Sequence, residues 1–291
     1  MTTQAERKLI HVIPSQPTSD GAGVKLRRSL GSQRGLHVDP FLMLDEFYSD
    51  NPDDYLAGFP AHPHRGFETV TYMLDGHMRH EDHLGNRGDL GPGGVQWMTA
   101  ARGIIHSEMP QQTAGRMRGF QLWINLPSRE KMKPAGYRDI PATEIPLVPL
   151  PGGGRVKVIA GSYAADGREV QGPVNGAGHK LSTEPLYLDV QLPAGAEFVA
   201  AVTPGHNAFL YVYEGAAKVG PQDQALPHRA AGVLSDSGNV RVRAGADGAS
   251  FLLLAAKPLH EPVVQYGPFV MNTREEIEQA LADYRDGKLA A

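Results

Sequence analysis

The sequence predicts an all-β fold made of two β-domains, with a short helix near the C-terminus. Short runs of β-branched and aromatic residues recur along the chain and end at Pro, Gly or an Asp-Gly pair, as strands do. Gly (34) and Pro (23) together make up 57 of the 291 residues, which indicates many turns. In addition, GFETVTYMLDG (66–76) is echoed by HNAFLYVYEG (206–215), a similarity that duplication of a β-domain would explain.

The individual strands can be placed from their alternation. In the first half, ETVTYML (68–74) puts Val70, Tyr72 and Leu74 on one face and stops at Asp75-Gly76, which predicts a strand closed by a tight turn. The segment after that turn, GHMRHEDHLGNRG (76–88), is polar and predicts a hairpin that reaches solvent. The second half has four runs of the strand type, which cover 187–192, 198–202, 208–213 and 250–256.

A helix is specified near the C-terminus. Thr273 and Glu276 form a capping-box pattern, and apolar residues follow at helical spacing from Ile277 to Tyr284. Gly287 then stands where a helix commonly ends. The pattern predicts a helix at about 273–286 that packs its apolar stripe on a β-barrel.

The boundary between the two domains is predicted in the middle of the chain. Residues 127–154 are rich in Pro and Gly and show no sustained periodicity. We therefore expect an N-terminal domain over residues 1–135 and a C-terminal domain over 136–291 that ends in the helix.

Composition excludes several classes of protein. The absence of cysteine removes disulfides, thiolate zinc sites, iron–sulfur clusters and cysteine nucleophiles. The longest purely apolar stretch, 251–256, falls far short of the roughly 20 residues of a membrane helix. The first 18 residues lack the apolar core of a secretory signal, so we expect a cytoplasmic protein. A net charge of −4 gives no field that favours nucleic acid, and the phosphate-loop, dinucleotide-binding, nucleophile-elbow and HExxH motifs are absent.

Histidine clusters in one window of the chain. Six of the 12 histidines fall within the 45 residues from His62 to His106. His62 and His64 are two residues apart, as are His106 and Glu108, so each pair shares one face of a strand. Two facing strands would present three nitrogens and one carboxylate to one ion, a set that suits iron, manganese, nickel, copper or zinc. The second half has no such pair, and we expect no metal there.

Alternatives remain open within this window. An HxH pair in a β-protein can also be a surface or packed pair that binds no metal. Glu68 stands four residues beyond the HxH pair, about 13 Å along a straight strand, so we expect Glu108 to be the ligand and Glu68 to be structural or to support a ligand. His77 and His83 are expected at the surface, whereas the spacing leaves the role of His80 open.

Three long stretches of the sequence resemble the pirin family of bicupins, and they cover 62–76 (HPHRGFETVTYMLDG), 88–110 and 266–288. The resemblance extends over nearly the whole chain. It implies two antiparallel cupin β-barrels (jelly rolls) packed face to face, with the metal in the N-terminal barrel. In that family the ligands are the histidines of HPHRGFETV and the His and Glu of the RGIxHxEMP-type segment, which here are His62, His64, His106 and Glu108.

The resemblance also implies an activity. Pirins are similar to cupin flavonol dioxygenases, which implies a quercetin 2,3-dioxygenase-like oxidoreductase that opens the flavonol ring with O2. Fe(II) is the metal expected, with Zn, Mn, Ni or Cu as alternatives, and Glu108 is the expected catalytic residue because it can take a proton from the substrate hydroxyl.

Other functions are compatible with the same resemblance. One is a metal-dependent enzyme that acts on another enolic or aromatic substrate. Another is a non-enzymatic, iron-dependent regulator that binds a transcription factor or a metabolic enzyme. The partners expected are therefore an aromatic small molecule and O2, with a protein partner in the regulatory case. A monomer without direct nucleic-acid binding is expected.

Overall fold

The computed structural model describes residues 5–33, 35–165, 167–176 and 180–290, and most of its elements are β-strands. The strands up to residue 140 are β1 (Leu9–Pro14), β2 (Gln16–Asp20), β3 (Val24–Arg28), β4 (Phe41–Ser49), β5 (Phe59–His64), β6 (Phe67–Asp75), β7 (Met78–Asp82), β8 (Arg87–Leu90), β9 (Val95–Thr99), β10 (Ile104–Pro110), β11 (Met117–Asn125) and β12 (Gly136–Ile140). The later elements are β13 (Leu147–Pro149), β14 (Arg155–Ala160), β15 (Ser162–Ala165), β16 (Arg168–Gln171), β17 (Leu186–Leu192), β18 (Glu197–Ala200), β19 (Asn207–Val219), β20 (Gln224–Leu226), β21 (Ala230–Leu234), β22 (Val240–Ala256), β23 (Val264–Tyr266), β24 (Phe269–Met271) and the helix α1 (Arg274–Arg285). The predicted all-β class with a short C-terminal helix is confirmed.

The chain divides into two compact units. We call one the histidine unit; it comprises Gln16–His37, Phe41–Thr143 and the described residues from Leu259 onward. The apolar unit comprises the described residues up to Ser15, Val38–Pro40 and Glu144–Pro258. The main junction lies within the Pro- and Gly-rich segment. The two units nevertheless differ from the expected ranges 1–135 and 136–291, because the described residues up to Ser15 belong to the apolar unit and those from Leu259 onward belong to the histidine unit. The reason is strand pairing that is remote in sequence, because β1 pairs with β21, while β23, β24 and α1 belong with the strands of the histidine unit.

The histidine unit contains two main antiparallel sheets. One has the order β12-β9-β6-β11-β4-β3-β2, and the other has the order β5-β10-β7-β8. Both sheets contribute to one apolar cluster, in which residues such as Met73 and Met117 of the first sheet meet Met78 and Leu90 of the second. Burying apolar side chains of two sheets against each other is what stabilises such a unit.

The apolar unit is built around one long antiparallel sheet. Its order is β1-β21-β19-β22-β17-β14-β13, with β18 paired to β22 and β20 paired to β19. Three of the four strands predicted in the second half lie within β17, β19 and β22, and the fourth, 198–202, begins within β18 but extends two residues beyond its end at Ala200. Their inward side chains form a large cluster of Val, Leu, Ala and Phe residues.

The helix begins and ends close to the predicted positions. Thr273 is the N-cap, and its side chain and that of Glu276 form the reciprocal capping box. Gly287, at φ +69°, follows the C-cap Asp286 and relieves the strain that a side chain would meet there. Ile277 packs with residues of β24 in a separate apolar cluster. Among the described residues no helix is long and apolar enough to cross a bilayer.

A buried lysine joins the C-terminal segment to the turn after β5. The Lys131 ammonium group donates to the carbonyl oxygens of Gly66 (2.6 Å) and Val270 (3.0 Å) and to Oδ1 of Asn125 (2.5 Å). Arg65 in the same turn forms an ion pair with Asp283 of α1 (2.7 Å). These contacts fix the strand end that carries the HxH pair.

Candidate metal centre

Two neighbouring antiparallel strands bring three histidines together. β5 pairs with β10 so that His62 stands opposite His106, and His64 stands opposite Ile104. Among the described residues, the ligand nitrogens of His62, His64 and His106 form a group in which all atoms lie within 4.8 Å of one another. We call these three residues the histidine cluster. The i, i+2 spacing puts the two β5 histidines on one face, as the sequence predicted.

The nitrogens of the HxH pair are arranged as two ligands of one ion would be. The Nε2 atoms of His62 and His64 lie 3.0 Å apart. Two nitrogens that bind an ion at about 2.1 Å and at right angles are separated by about 3.0 Å. The Nδ1 of His62 donates to the carbonyl oxygen of Pro60 (2.8 Å), so its Nε2 is left with a lone pair, as a ligand requires.

His106 supplies a third nitrogen of the same kind. Its Nε2 is buried and has no hydrogen-bond partner among the described residues, and such an atom is costly unless it is coordinated. Burial, reinforced by the neighbouring histidines, lowers the pKa of both His64 and His106 well below the usual value. Both rings are therefore neutral near pH 7, the form that binds metals. The donor set fits a divalent transition metal.

Glu108 lies near the cluster but is not one of its members. Its carboxylate is buried and belongs to the lining of the cavity that His62 and His64 also line. The Thr71 hydroxyl lies 2.8 Å from Glu108 Oε1 and 2.5 Å from Oε1 of Gln121. One hydroxyl proton cannot serve two acceptors; donation to Glu108 requires the Gln121 amide group to be turned so that its NH2 faces Thr71. Glu108 Oε1 is then held by Thr71, which leaves Oε2 for a metal or a substrate.

Glu68, the other carboxylate considered, is directed elsewhere. Its Oε1 accepts a hydrogen bond from the Thr99 hydroxyl (2.6 Å). Burial raises the pKa of Glu68 above its usual value. The chain does bend at Gly66, which has φ +94°, but Glu68 is not part of the group formed by the histidine cluster.

The other histidines of the window divide into two kinds. His77 and His83 are exposed, in agreement with the expectation. His80 is buried, and its Nδ1 lies 3.2 Å from Nδ1 of His106. The spacing of His80 to the ligand pairs carries no information about its role. The segment 76–88 does form a hairpin, of β7 and β8, but β7 also pairs with β10.

A cavity of 1120 Å³ opens beside the histidine cluster, slightly above the usual range of about 300–1,000 Å³ for small-molecule sites. His62, His64 and Glu108 are among its lining residues. Of the aromatic residues flanking the predicted ligands in sequence, Trp123 lines it, and Phe67 packs behind Trp123 with ring centroids 4.3 Å apart. The apolar part of the wall is completed by Leu26, Leu36, Leu42, Met43, Phe47 and Phe59.

One wall of the cavity is polar, and no motif in the sequence predicted it. Arg28 binds Asp45 through two hydrogen bonds (2.8 and 2.7 Å) and Asp20 through a third (2.8 Å). Burial raises the pKa of Asp45 to about 6, and Arg28 partly offsets that rise. On adjacent strands Arg28, Asp45, Gln121 and Thr71 stand opposite one another, so the polar row leads from this wall to Glu108.

Comparison with known protein families shows to which family the chain belongs. A model described as Pirin matches residues 23–124, and one described as the Pirin C-terminal cupin domain matches residues 187–290. The chain belongs to the pirin family. The pirin resemblance seen in the sequence is thus confirmed, and the fold is that of the bicupin structures to which the chain is similar.

Relatives and solved structures agree with this membership. The chain is 58% identical over 285 residues to the "putative quercetin 2,3-dioxygenase" of Pseudomonas aeruginosa, with 98% of both proteins covered. It is 42% identical to human pirin over 289 residues, which cover 98% of this chain and 94% of that one. The crystal structure of quercetin 2,3-dioxygenase from Acinetobacter baumannii superposes with a TM-score of 0.87 at 32% identity, with 99% of each chain covered. A bacterial pirin from Escherichia coli in complex with nickel(II) shares the fold (TM-score 0.60, 20% identity, 85% and 98% covered).

Proposed function

We propose that the chain is a metal-dependent dioxygenase that opens the ring of a flavonol such as quercetin with O2. The observation that carries this proposal is the histidine cluster, with a buried unpartnered nitrogen, at one end of a cavity large enough for an aromatic substrate. The names of the Pseudomonas and Acinetobacter relatives support the same substrate class.

In this proposal, His62, His64, His106 and Glu108 hold one divalent ion, with Fe(II) as the expected metal. Iron bound there would supply Lewis acidity toward the 3-hydroxyl and 4-carbonyl oxygens of a flavonol and a redox-active centre for O2. Glu108 is the group placed to accept the 3-hydroxyl proton, since its carboxylate lines the cavity. Thr71 orients that carboxylate through its hydrogen bond to Oε1.

The cavity wall explains how a flat substrate is held. Trp123, Phe47 and Phe59 offer apolar contact to an aromatic ring system. At the polar wall, the carboxylates of Asp45 and Asp20 offer acceptors to hydroxyl groups at the other end of the substrate, and Arg28 offers donors. The apolar walls also limit the water that reaches the reacting end.

The proposal is tested by oxygen uptake with protein reconstituted anaerobically with Fe(II). We expect quercetin to be consumed with O2 uptake and release of carbon monoxide. The flavone that lacks only the 3-hydroxyl group should not react, because it cannot offer the same pair of oxygens. His62→Ala should lose metal and activity, whereas His77→Ala, which alters an exposed histidine, should match the wild type.

Two results would count against the proposal. Full activity in a folded His62→Ala protein would show that the cluster is not the reaction site. An absence of uptake with iron demonstrably bound would exclude flavonols and redirect the search to other enolic or aromatic substrates.

A further inference from the structure

A second buried pair of polar side chains lies directly behind the histidine cluster. On β7, the strand next to β10, Asp82 stands opposite His106, and His80 stands opposite Glu108. His80 Nδ1 lies 3.2 Å from His106 Nδ1, and His80 Nε2 lies 3.5 Å from Asp82 Oδ2. The three side chains therefore form a row that ends at the unpartnered Nε2 of His106.

The donors and acceptors of these three side chains determine which ring nitrogens carry a proton. An ionised carboxylate only accepts, so the His80 nitrogen that faces Asp82 must carry the proton. The other nitrogen of a singly protonated His80, Nδ1, is then an acceptor. His106 must therefore donate through its own Nδ1, which leaves a lone pair on its Nε2. The opposite direction would bury an Nε2–H of His106 with no acceptor among the described residues, which is unfavourable.

Asp82 and His80 are both held in place by groups other than His106. The Asp82 side chain is fully buried, and it accepts hydrogen bonds from the backbone N–H of Leu84 (2.9 Å) and from both the backbone (3.0 Å) and side-chain (2.8 Å) N–H of Asn86. The His80 ring is stacked on Tyr137, with centroids 4.3 Å apart and planes inclined by 17°. Neither ring nor carboxylate can turn without losing these contacts.

We propose that Asp82 and His80 are positioning residues that set the tautomer and orientation of His106, so that its Nε2 lone pair faces the metal. His106 becomes a more basic ligand, because it donates to His80, which in turn donates to the carboxylate of Asp82. The inference rests on the metal site of the proposed function, but it concerns proton positions that exist before any metal binds.

The first test uses the wild-type, metal-free protein with 15N-labelled histidine. Long-range 1H–15N spectra distinguish protonated from unprotonated ring nitrogens. We expect His106 to carry its proton on Nδ1 and His80 to carry its proton on Nε2. In Asp82→Asn, the amide NH2 can face His80, and the proton of His80 should move to Nδ1. A wild-type His106 protonated on Nε2 would overturn the proposal.

The second test measures Co(II) affinity through the absorption bands of the bound ion. His80→Phe keeps the ring that stacks on Tyr137 and removes both nitrogens, and we expect about 10- to 100-fold weaker binding for it and for Asp82→Asn. Matched controls are His77→Phe and Asp89→Asn, which change exposed side chains of the neighbouring segment; both should bind as the wild type does.

The outcomes separate this inference from the proposed function. Unchanged Co(II) affinity in folded His80→Phe and Asp82→Asn would overturn the positioning role. Wild-type protein that binds Co(II) but does not oxidise quercetin would overturn the proposed substrate while the positioning role stands. If the His80→Phe variant fails to fold, the tautomers of the wild-type protein still decide the question.

Discussion

A buried threonine and a half-buried one each donate to a buried carboxylate in the histidine unit, and one of these carboxylates lies at the candidate metal site. Thr71 contacts Glu108, whereas Thr99 contacts Glu68. Thr71→Val and Thr99→Val are nearly isosteric changes that leave a buried acceptor unpaired, so each should cost about 1–3 kcal/mol of unfolding free energy. Urea denaturation measures this loss.

The two variants should differ in metal binding. Thr71→Val frees the carboxylate of a proposed ligand, so we expect weaker Co(II) binding and slower quercetin turnover. Thr99→Val should retain both within about twofold, apart from its lower stability. Equal effects of the two substitutions on metal affinity would contradict the assignment of Glu108 to the site.

Asp45 should give the stability of the protein a distinct pH dependence. Its folded-state pKa of about 6 lies above the usual value of 3.8 because the carboxyl group is buried. Since folding favours the protonated form, the stabilisation is complete below about pH 4 and is lost as the pH rises through 6. Relative to Asp45→Asn, the wild type should lose on the order of 1–3 kcal/mol between pH 4 and pH 7, as measured by urea denaturation. Parallel pH profiles for the two proteins would contradict this expectation.

At the scale of single elements, features that depend on residues close together in the sequence could be predicted. The capping box and apolar repeat of α1 depend on residues three or four apart, and the helix formed within a residue of its predicted ends. The HxH pair shares a strand face for the same reason. Register between strands is not encoded locally, so the contact of Thr71 with Glu108 and that of His80 with His106 could not be predicted.

Substitution of Lys131 tests whether its hydrogen bonds stabilise the elements around β5. Lys131→Met removes the donor shared by the Gly66 carbonyl, the Asn125 amide oxygen and the Val270 carbonyl. Because at least two of these acceptors would be left buried and unpaired, we expect a loss of roughly 2–5 kcal/mol of unfolding free energy. Lys133→Met, a control that removes a partly exposed ion pair with Glu130, should cost less than about 1 kcal/mol. Urea denaturation of the two variants measures both losses, and equal losses would contradict the structural role of Lys131.

At the scale of the whole molecule, chain connectivity and compact units do not coincide. The sequence indicated two domains because turn residues mark the junction in the middle of the chain. It did not indicate that β1 joins β21 or that the described residues from Leu259 onward belong to the histidine unit. Such pairings join residues more than 200 positions apart, and no local pattern specifies them.

This division predicts that metal binding stabilises one unit selectively. The histidine cluster lies in the histidine unit, and among the described residues no second cluster of this kind is present. A ligand that binds only the folded state stabilises it by about 2.7 kcal/mol when its free concentration is 100 times Kd. Added Co(II) should therefore slow amide exchange in β5, β10 and β7, and exchange in β19 and β22 should stay unchanged. His106→Ala should abolish the effect. Slower exchange in β19 and β22 to the same extent would show that the two units open together, and that the metal site stabilises the whole chain.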